Sequence, residues 1–338
     1  MSEIRYDVLS DTHVVIAPER LHRPDFGSSI ADTPIPDSCP FCEGNESMTP
    51  PEIFALRKKG SFTNETGWQT RVVPNLYKAV QIETPCQSYQ EGLFQKHEGF
   101  GAHEVIIDTP EHHNSMLQWS EEETANWLKT MRTRVADLRL DDRIAFISLF
   151  KNQGAQAGST QPHPHTQLIG LPIIPKADKE RYERAHTHYR TTGKALLESL
   201  LLQEEQAGER IVAKVGDFTA FCPYASAYPF EVIISSKKAL GQIDTLSDEA
   251  IVSVSSLLLN VLKKLGYFDF NLWIATPPLQ HEPLGSELLE DAEQSCRFAI
   301  RIMPRIYRHG GFEVSTGMMI NPVAPEMAAR FLRESNDE

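Results

Sequence analysis

A long-range internal repeat constrains the fold of this chain more than any other feature of its sequence. FEVIIS at 230–235 echoes HEVIID at 103–108, and the segment LSDEAIVSVSSLL echoes WSEEETANWLKTM. Both pairs are 127 residues apart, so a strand and the helix after it recur with one spacing. FNLWIAT then echoes FISLFKN, and CRFAIRIMP takes the place of QPHPHTQLIGLP. The repeat predicts two copies of one strand–helix–strand–strand unit.

The heptapeptide QPHPHTQ at 161–167 sets three polar side chains at alternate positions. His163, His165 and Gln167 would point to one face of a strand, where a purely structural strand would carry valine or isoleucine. Imidazoles that converge on one patch indicate a chemical role. Pro164 cannot donate to a sheet, so we expect this strand at an edge or bending away from its neighbour.

The second copy has no H-x-H at the matching place. The 127-residue spacing aligns two pairs: His103 with Phe230, and Ser120 with Ser247. Matching the strand ends at Pro172 and Pro304 aligns three more: His163 with Ser295, His165 with Arg297, and Gln167 with Ala299. An arginine stays protonated and cannot act as a nucleophile. We therefore expect one active site, in the first half, with the second half as scaffold.

The CPFC motif, Cys39 to Cys42, can bring two thiolates to one ion and is typical of half a tetrahedral zinc site. A redox role would need C-x-x-C at the start of a helix, whereas this motif lies in a loop. Two unrelated cysteines are the remaining alternative. The other ligands would come from the histidines near predicted active elements: His112, His113, His163 and His165. Local sequence alone favours solvated loop residues for the pair at 112 and 113.

The loop NQGAQAGST, from Asn152 to Thr160, leads directly into the histidine motif. Glycines let backbone N–H groups approach a phosphate closely. No G-K-[ST] follows, so the loop is not a Walker A motif. Joined to H-P-H-T-Q, it indicates phosphorus chemistry performed by histidine.

Charge and composition exclude some classes of function. The formal net charge of -13 argues against coating nucleic acid, which needs a basic face. No stretch approaches the roughly 18 apolar residues of a membrane helix, and the N-terminus lacks a secretory pattern. The remaining cysteines, Cys86, Cys222 and Cys296, are scattered, as expected in a reducing cytoplasm.

Several motifs together resemble a known family. CPFC, RVVPNLY, GFGAHEVIIDTPEHH, FKNQGAQAGSTQPHPHTQ and YASAYPFEV occur in this order. They resemble the galactose-1-phosphate uridylyltransferase family, the transferase branch of the histidine-triad superfamily, and FKNQGA, GFEVSTG and MINPV are most similar to its ADP-glucose phosphorylase branch. The resemblance implies an α+β fold with two histidine-triad-like halves, residues 1–175 and 176–338, each an antiparallel sheet with helices packed on it. It also implies a cytoplasmic homodimer.

The resemblance implies a role for each matching residue. His165 matches the nucleophile, and Gln167 the glutamine that binds the transferred phosphoryl group. The implied ligands of one structural Zn²⁺ are Cys39, Cys42, His112 and His163, with His112 preferred to His113 because it directly follows Pro110 and Glu111. The implied substrate-binding positions are Arg20, Arg23, Asn75, Asn152, Gly158, Ser159, Thr160, Phe312 and Gly317.

The predicted reaction is nucleotidyl transfer between a nucleotide sugar, such as UDP-glucose, and a sugar phosphate or phosphate through His165. Histidine-triad hydrolases carry a third histidine where this chain has Gln167, which cannot shuttle a proton, so transfer to phosphate is favoured over hydrolysis. The hexose-1-phosphate uridylyltransferase type is the preferred class, and ADP-glucose phosphorylase the alternative. The rivals are a non-catalytic zinc-stabilised nucleotide-binding protein and a metallohydrolase, whose metal would need an open coordination position.

One departure from the family concerns a second metal. Classical uridylyltransferases carry an H-x-H metal site in the C-terminal half, whereas His281 and His309 of this chain are isolated and form no such motif. We therefore expect no iron. The same departure moves the prediction away from the classical enzymes.

Overall fold

The computed structural model describes residues 2–22, 38–112, 115–279 and 290–335. Arg23, His113 and His281 lie outside the described residues. The strands are β1 (Glu3–Asp7), β2 (Thr12–Ile16), β3 (Phe54–Arg57), β4 (Trp68–Pro74), β5 (Ser88–Glu91), β6 (Phe94–His97), β7 (Ala102–Ile107), β8 (Phe146–Gln153), β9 (His165–Leu171), β10 (Ile211–Val215), β11 (Phe218–Phe221), β12 (Val232–Ser236), β13 (Phe270–Ile274), β14 (Ala299–Pro304) and β15 (Met319–Asn321).

The α-helices of the described residues are α1 (Glu121–Leu138), α2 (Lys176–Thr192), α3 (Leu196–Ala207), α4 (Asp248–Leu265), α5 (Ala292–Ser295), α6 (Gly311–Thr316) and α7 (Pro325–Glu334). Short 3₁₀ helices span Pro18–His22, Glu46–Met48, Met116–Gln118 and Ala155–Ala157. None of the helices in these described ranges is long and apolar enough to cross a membrane.

The main helix of each half begins at a serine N-cap. The Ser120 hydroxyl accepts from the Glu123 amide and the Glu123 carboxylate accepts from the Ser120 amide, a capping box that satisfies amides at the start of α1. Ser247 caps α4 through the amide of Ala250. Since α1 and α4 both span 18 residues, the alignment of Ser120 with Ser247 is confirmed.

The two halves join edge to edge in one ten-stranded antiparallel sheet. Its order is β10-β11-β12-β14-β13-β8-β9-β7-β4-β3, so β8 and β13 meet at the centre. There Phe150 pairs with Trp273, Leu149 with Ile274, and Lys151 with Leu272. Exchanging Phe150 with Trp273 maps the other two pairs onto each other, which defines an internal two-fold axis. The expected α+β fold with two similar antiparallel halves is confirmed.

Cross-strand pairing corrects the alignment of β9 with its copy, β14. Gln167 pairs with Phe150 in the first half, and Arg301 pairs with Trp273 in the second. The two-fold axis therefore aligns Gln167 with Arg301. The three alignments made from the strand-end prolines are wrong by two residues, because β9 ends before its proline whereas β14 includes Pro304. The corrected pairs are His163 with Arg297, His165 with Ala299, and Gln167 with Arg301.

The alignment of His103 with Phe230 is wrong by one residue. Val105 pairs with Gln167, and Ile233 pairs with Arg301, so these two residues are equivalent. His103 therefore corresponds to Glu231. The connection from strand to helix is one residue shorter in the second half, and a shift of one residue exchanges the two faces of a strand.

The strand β9 is not at an edge of the sheet. β9 lies between β7 and β8, and hydrogen bonds hold it on both sides. Pro164 is tolerated because it directly precedes the strand, where its carbonyl still accepts from the amide of Asp108. The expectation of an edge strand is therefore wrong.

A smaller sheet gathers the two ends of the chain. β2 pairs with β1 and with β15, giving three strands in the order β1-β2-β15. The N-terminal strands therefore pair with a strand from the far end of the chain.

The predicted boundary between the two halves, residues 1–175 and 176–338, falls between β9 and α2. This division of the chain stays a prediction.

Candidate active site

β9 presents His165 and Gln167 on one face of the large sheet. The residue between them, Thr166, is buried on the other face, where its hydroxyl accepts from Nε1 of Trp127 on α1. Leu168 on that same face joins the core beneath α1 and α4. Thr166 and Leu168 thus fix one face of β9 against α1 and α4. Because side chains alternate along a strand, the predicted catalytic residues His165 and Gln167 lie on the opposite face.

The protonation of the His165 ring follows from its hydrogen bond. Nδ1 lies 2.9 Å from the backbone oxygen of His163, and a carbonyl can only accept, so Nδ1 carries the proton. Nε2 of the neutral ring therefore holds a lone pair. Burial, and then the nearby Lys151 ammonium, lower the pKa of His165, whereas the hydrogen bond raises it. A neutral imidazole with one free nitrogen is the form that attacks phosphorus.

A buried ion pair supports this histidine from beneath. Nζ of Lys151 on β8 donates to Oδ2 of Asp108 at 2.8 Å and to the backbone oxygen of His165 at 3.3 Å. Both charged side chains are at most 1% exposed, and Nζ lies 5.3 Å from the ring centre of Trp119. The pair ties three segments of chain together at the start of β9.

Gln167 is oriented by a residue that we did not single out from the sequence, His103. Nδ1 of His103 accepts from the amide of Ala79 at 3.0 Å, so the proton of a neutral ring is on Nε2. That nitrogen donates to Oε1 of Gln167 at 3.1 Å. Asn75 stays close, with its amide nitrogen 3.1 Å from Nε2 and its Oδ1 bound to the Tyr77 amide. Because the oxygen of Gln167 is engaged, its NH₂ group is left to donate to a ligand.

We expect His103→Leu to lower kcat about 10- to 100-fold with a much smaller change in KM, because Gln167 loses the contact that sets its amide. The measurement is steady-state kinetics of nucleotidyl transfer, and His97→Leu on the exposed hairpin is the matched control. Unchanged kcat in His103→Leu, or an equal loss in the control, would contradict this role.

Four predicted metal ligands converge. The donor atoms of Cys39, Cys42, His112 and His163 all lie within 4.8 Å of one another. Sγ of Cys42 is 3.4 Å from Nδ1 of His112 and 3.5 Å from Nδ1 of His163. A tetrahedral zinc ion holds sulfur and nitrogen ligands about 3.5 Å apart. The donor set therefore fits a metal ion, and its four ligands leave no open position for a hydrolytic water.

The environment of His163 suits a neutral ligand. Its Nε2 donates to the backbone oxygen of Thr109 at 2.8 Å, which leaves Nδ1 toward Cys42. Burial is the main reason that the pKa of His163 falls to about 4. An outer hydrogen bond of this kind sets the orientation of a ligating ring.

The CPFC loop contacts the His165 ring through Phe41. The ring centre of Phe41, inside CPFC, lies 5.7 Å from that of His165 and 6.1 Å from that of His163. Both contacts are edge-on, the arrangement that aromatic rings prefer. The loop therefore packs against the predicted nucleophile as well as supplying two thiols.

The glycine loop is held by the second half of the chain. The Asp269 carboxylate accepts from the amide of Gln156 at 2.7 Å, and a Cβ on Gly154 would lie 1.9 Å from that carboxylate. Glycine is thus required there, where φ is +84°. This part of the loop is bound to a carboxylate of the protein rather than open to a phosphate.

The other predicted substrate-binding positions of this loop are Asn152, Gly158, Ser159 and Thr160. Oδ1 of Asn152 accepts from Nδ2 of Asn271 at 2.8 Å, a contact between the two halves. Gly158 is left-handed, with φ of +87°, directly beside Asn152. The Ser159 hydroxyl donates to the backbone oxygen of Gln161, whereas Thr160 is exposed. Their predicted role in substrate binding stays a prediction.

Three further predicted substrate-binding positions lie near the strands of the small sheet in sequence. Arg20 is exposed in the 3₁₀ helix after β2. Phe312 is 43% exposed on α6, and Gly317 ends that helix in the left-handed conformation. These residues are near β2 and β15 of the small sheet in sequence, whereas His165 lies on the large sheet.

Two supporting residues are not recognised from the sequence, for different reasons. His103 is the first residue of the predicted strand HEVIID, and its alternation with Val105 and Ile107 is the one local sign that it faces the same side as they do. Lys151 lies within the predicted strand FISLFKN. A lysine at the end of an apolar run resembles a solvated terminus, and no local pattern identifies its partner Asp108.

Comparison with known proteins agrees with this arrangement. The family model for the N-terminal domain of galactose-1-phosphate uridyl transferase matches residues 1–175. An ADP-glucose phosphorylase of Arabidopsis thaliana is 31% identical over 98% of this chain and 92% of its own length. The galactose-1-phosphate uridylyltransferase of Thermotoga maritima is 26% identical over the whole length of both chains.

A solved structure matches the fold over its whole length. The crystal structure of an ADP-glucose phosphorylase from Arabidopsis thaliana with bound ADP-glucose has a TM-score of 0.81 and 29% identity, with all of both chains covered. The family match spans the half that carries the metal ligands, His165 and Gln167. The chain therefore belongs to the galactose-1-phosphate uridylyltransferase family of nucleotidyltransferases.

Proposed function

We propose that this enzyme transfers adenylyl groups between ADP-glucose and phosphate through a covalent bond to Nε2 of His165. The observation that carries the proposal is the pair of hydrogen bonds that prepare the β9 face. One places the proton of His165 on Nδ1, and the other leaves the amide NH₂ of Gln167 free to donate. A nucleophile thus stands beside a donor for the phosphoryl oxygens.

In the first step, the Nε2 lone pair attacks the α-phosphorus of the nucleotide sugar. A nitrogen–phosphorus bond forms, and the phosphorus–oxygen bond to glucose 1-phosphate breaks, so the sugar phosphate leaves with the bonding electrons. The ring becomes cationic, and its Nδ1–H stays bound to the carbonyl of His163. Gln167 donates to the oxygens on which charge develops.

In the second step, an oxygen of the acceptor phosphate attacks the same phosphorus. The nitrogen–phosphorus bond breaks and returns its electrons to Nε2, which restores the neutral ring. Gln167 cannot act as a base, since an amide does not titrate, so a bound phosphate competes well against water. Two displacements at one phosphorus give ping-pong kinetics.

Adenine is preferred here to uracil because of the relatives. The Arabidopsis ADP-glucose phosphorylase is the 31% relative, and its structure with ADP-glucose superposes over the whole chain. This reverses the order of preference that the motifs alone suggested. UDP-glucose:hexose-1-phosphate uridylyl transfer is the second candidate, supported by the full-length similarity to the Thermotoga maritima enzyme.

Intact-protein mass spectrometry separates the two candidates. The protein is incubated with ADP-glucose or with UDP-glucose, without an acceptor, and peptide mapping then locates the label. We expect an AMP adduct on His165 with ADP-glucose, discharged by inorganic phosphate to give ADP. A UMP adduct discharged by galactose 1-phosphate would establish the second candidate instead, and the absence of any adduct on His165 would contradict covalent transfer.

The metal, assembly and location belong to the same proposal. One Zn²⁺ per chain is supported by the two thiols and two imidazoles of the cluster, and its role is structural. A homodimer is part of the proposal because the resemblance to the family implies it. A cytoplasmic location is supported by five free cysteines.

A further inference from the structure

The second half has a counterpart of the catalytic position. A single cross-strand row crosses six strands in the order Val105, Gln167, Phe150, Trp273, Arg301, Ile233. The two-fold axis passes between Phe150 and Trp273. Gln167 and Arg301 are three strand spacings apart, about 14 Å, and both lie on the face away from α1 and α4.

A cavity of about 80 Å³ opens at this counterpart position. It lies between the large sheet and helices α2 and α3, and most of its lining is apolar, including Leu196, Leu197, Ile233 and Ala299. Trp273 forms part of the wall. Ala299 corresponds to the predicted nucleophile His165, so a ligand here would meet a methyl group where the first half has an imidazole.

Three arginines line the cavity, and their hydrogen bonds differ. Arg297 is fully engaged, since its guanidinium donates to the carboxylate of Glu198 and to three backbone oxygens. Arg181 donates one Nη to Asp178 and lies over the ring of Trp273, 5.0 Å from its centre. Arg301 uses Nε for Glu231.

Arg301 has unused donors. Among the described residues, its two Nη groups have no hydrogen-bond acceptor, although its side chain is only 14% exposed. Glu231 is fully buried, and its second carboxylate oxygen accepts from the backbone amides of Ala227 and Tyr228. The ion pair therefore satisfies one edge of the guanidinium. The Asp7 carboxylate also acts on the Arg301 charge, but it forms no hydrogen bond with either Nη group. The two Nη groups thus remain as a fork that fits two oxygens of a carboxylate or a phosphate.

We propose that this cavity is a non-catalytic binding site for a small oxyanion, a carboxylate or phosphate group on a short apolar body. The Nη fork of Arg301 would hold the oxyanion, and the apolar wall around Ala299 would hold the body. The halves would thus divide the ancestral function: the first binds and attacks a phosphoryl group, and the second binds an oxyanion without a nucleophile. The proposal does not depend on which nucleotide the first half transfers.

The test is equilibrium binding at constant ionic strength, read by tryptophan fluorescence. Trp273 lines the cavity, whereas Trp68, Trp119 and Trp127 are buried in the core. The probes are propionate, methylphosphonate and inorganic phosphate, with propionamide as the uncharged analogue. We expect saturable quenching with propionate or methylphosphonate, no quenching with propionamide, and loss of the signal in Trp273→Phe. Preference for methylphosphonate would identify a phosphate ligand, and preference for propionate a carboxylate.

Two variants separate binding in the cavity from binding elsewhere. Ala299→Leu fills the cavity and leaves all three arginine ion pairs in place, so binding should be lost. Arg301→Lys keeps the charge beside Glu231 but removes the fork, so binding should weaken at least about tenfold. Ala136→Leu, on the exposed face of α1, is the matched control and should bind normally. Absence of saturable binding by every anion, or binding that survives Ala299→Leu unchanged, would overturn the proposal.

Discussion

Replacing His165 with alanine is expected to abolish nucleotidyl transfer, with a loss of about 10⁴-fold or more in kcat. The reason is chemical: no other residue of β9 (His165–Leu171) offers an unprotonated ring nitrogen, and that of His163 faces the thiol of Cys42. A covalent step without its nucleophile has no substitute of similar reactivity. The fold should persist, because His165 is half-buried on the face of the sheet away from α1 and α4.

Kinetics and adduct formation together check this expectation. The thermal unfolding curve of His165→Ala should stay close to that of the wild type, and no nucleotidyl adduct should form. His97→Ala, on the exposed hairpin, is the matched control. His165→Gly supplied with free imidazole should recover part of the activity. Near-normal transfer by His165→Ala would show that the nucleophile has been assigned wrongly.

Loss of the metal is expected to cost both stability and rate. Cys42 contacts both ligand histidines, so Cys42→Ser should lower the zinc content from one per chain to nearly none. We expect the free energy of unfolding to fall by about 3 kcal/mol or more, less than the roughly 10–16 kcal/mol of isolated zinc-finger peptides because the large core remains. The rate should fall because Phe41 then loses its fixed position against His165.

Elemental analysis, denaturant unfolding and kinetics on the same preparations test this expectation. Cys86→Ser is the matched control, since Cys86 is an exposed free cysteine. It should keep its metal, stability and activity. Fully active protein that contains no zinc would contradict the proposed zinc site. Full stability of Cys42→Ser would contradict a structural role for the metal.

Some features of this site could be predicted because they are local. Alternation along a strand placed His165 and Gln167 on one face. Ser120 with Glu123 three residues later is likewise a local pattern, typical of a helix start, and α1 begins there. Each of these depends on neighbours a few residues away, so backbone geometry alone links pattern and structure.

The metal cluster shows the limit of local reasoning. CPFC indicated half of a site, but local sequence favoured solvated histidines at 112 and 113, and only the family resemblance selected His112. The structure brings Cys42 to His112 across 70 residues and to His163 across 121. Nothing periodic in the chain records such a distance.

The sequence by itself determined that the chain is a repeat of one strand–helix–strand–strand unit and that the second copy has no H-x-H at the place that matches HPHTQ. Only the tertiary structure decided the register between the copies, which aligns Arg301 with Gln167 and Ala299 with His165. It also joined His103 to Gln167 and Lys151 to Asp108, contacts that span 64 and 43 residues. The physical reason is that periodicity determines which face a residue occupies, whereas cross-strand hydrogen bonds and core packing determine which distant residue lies opposite it.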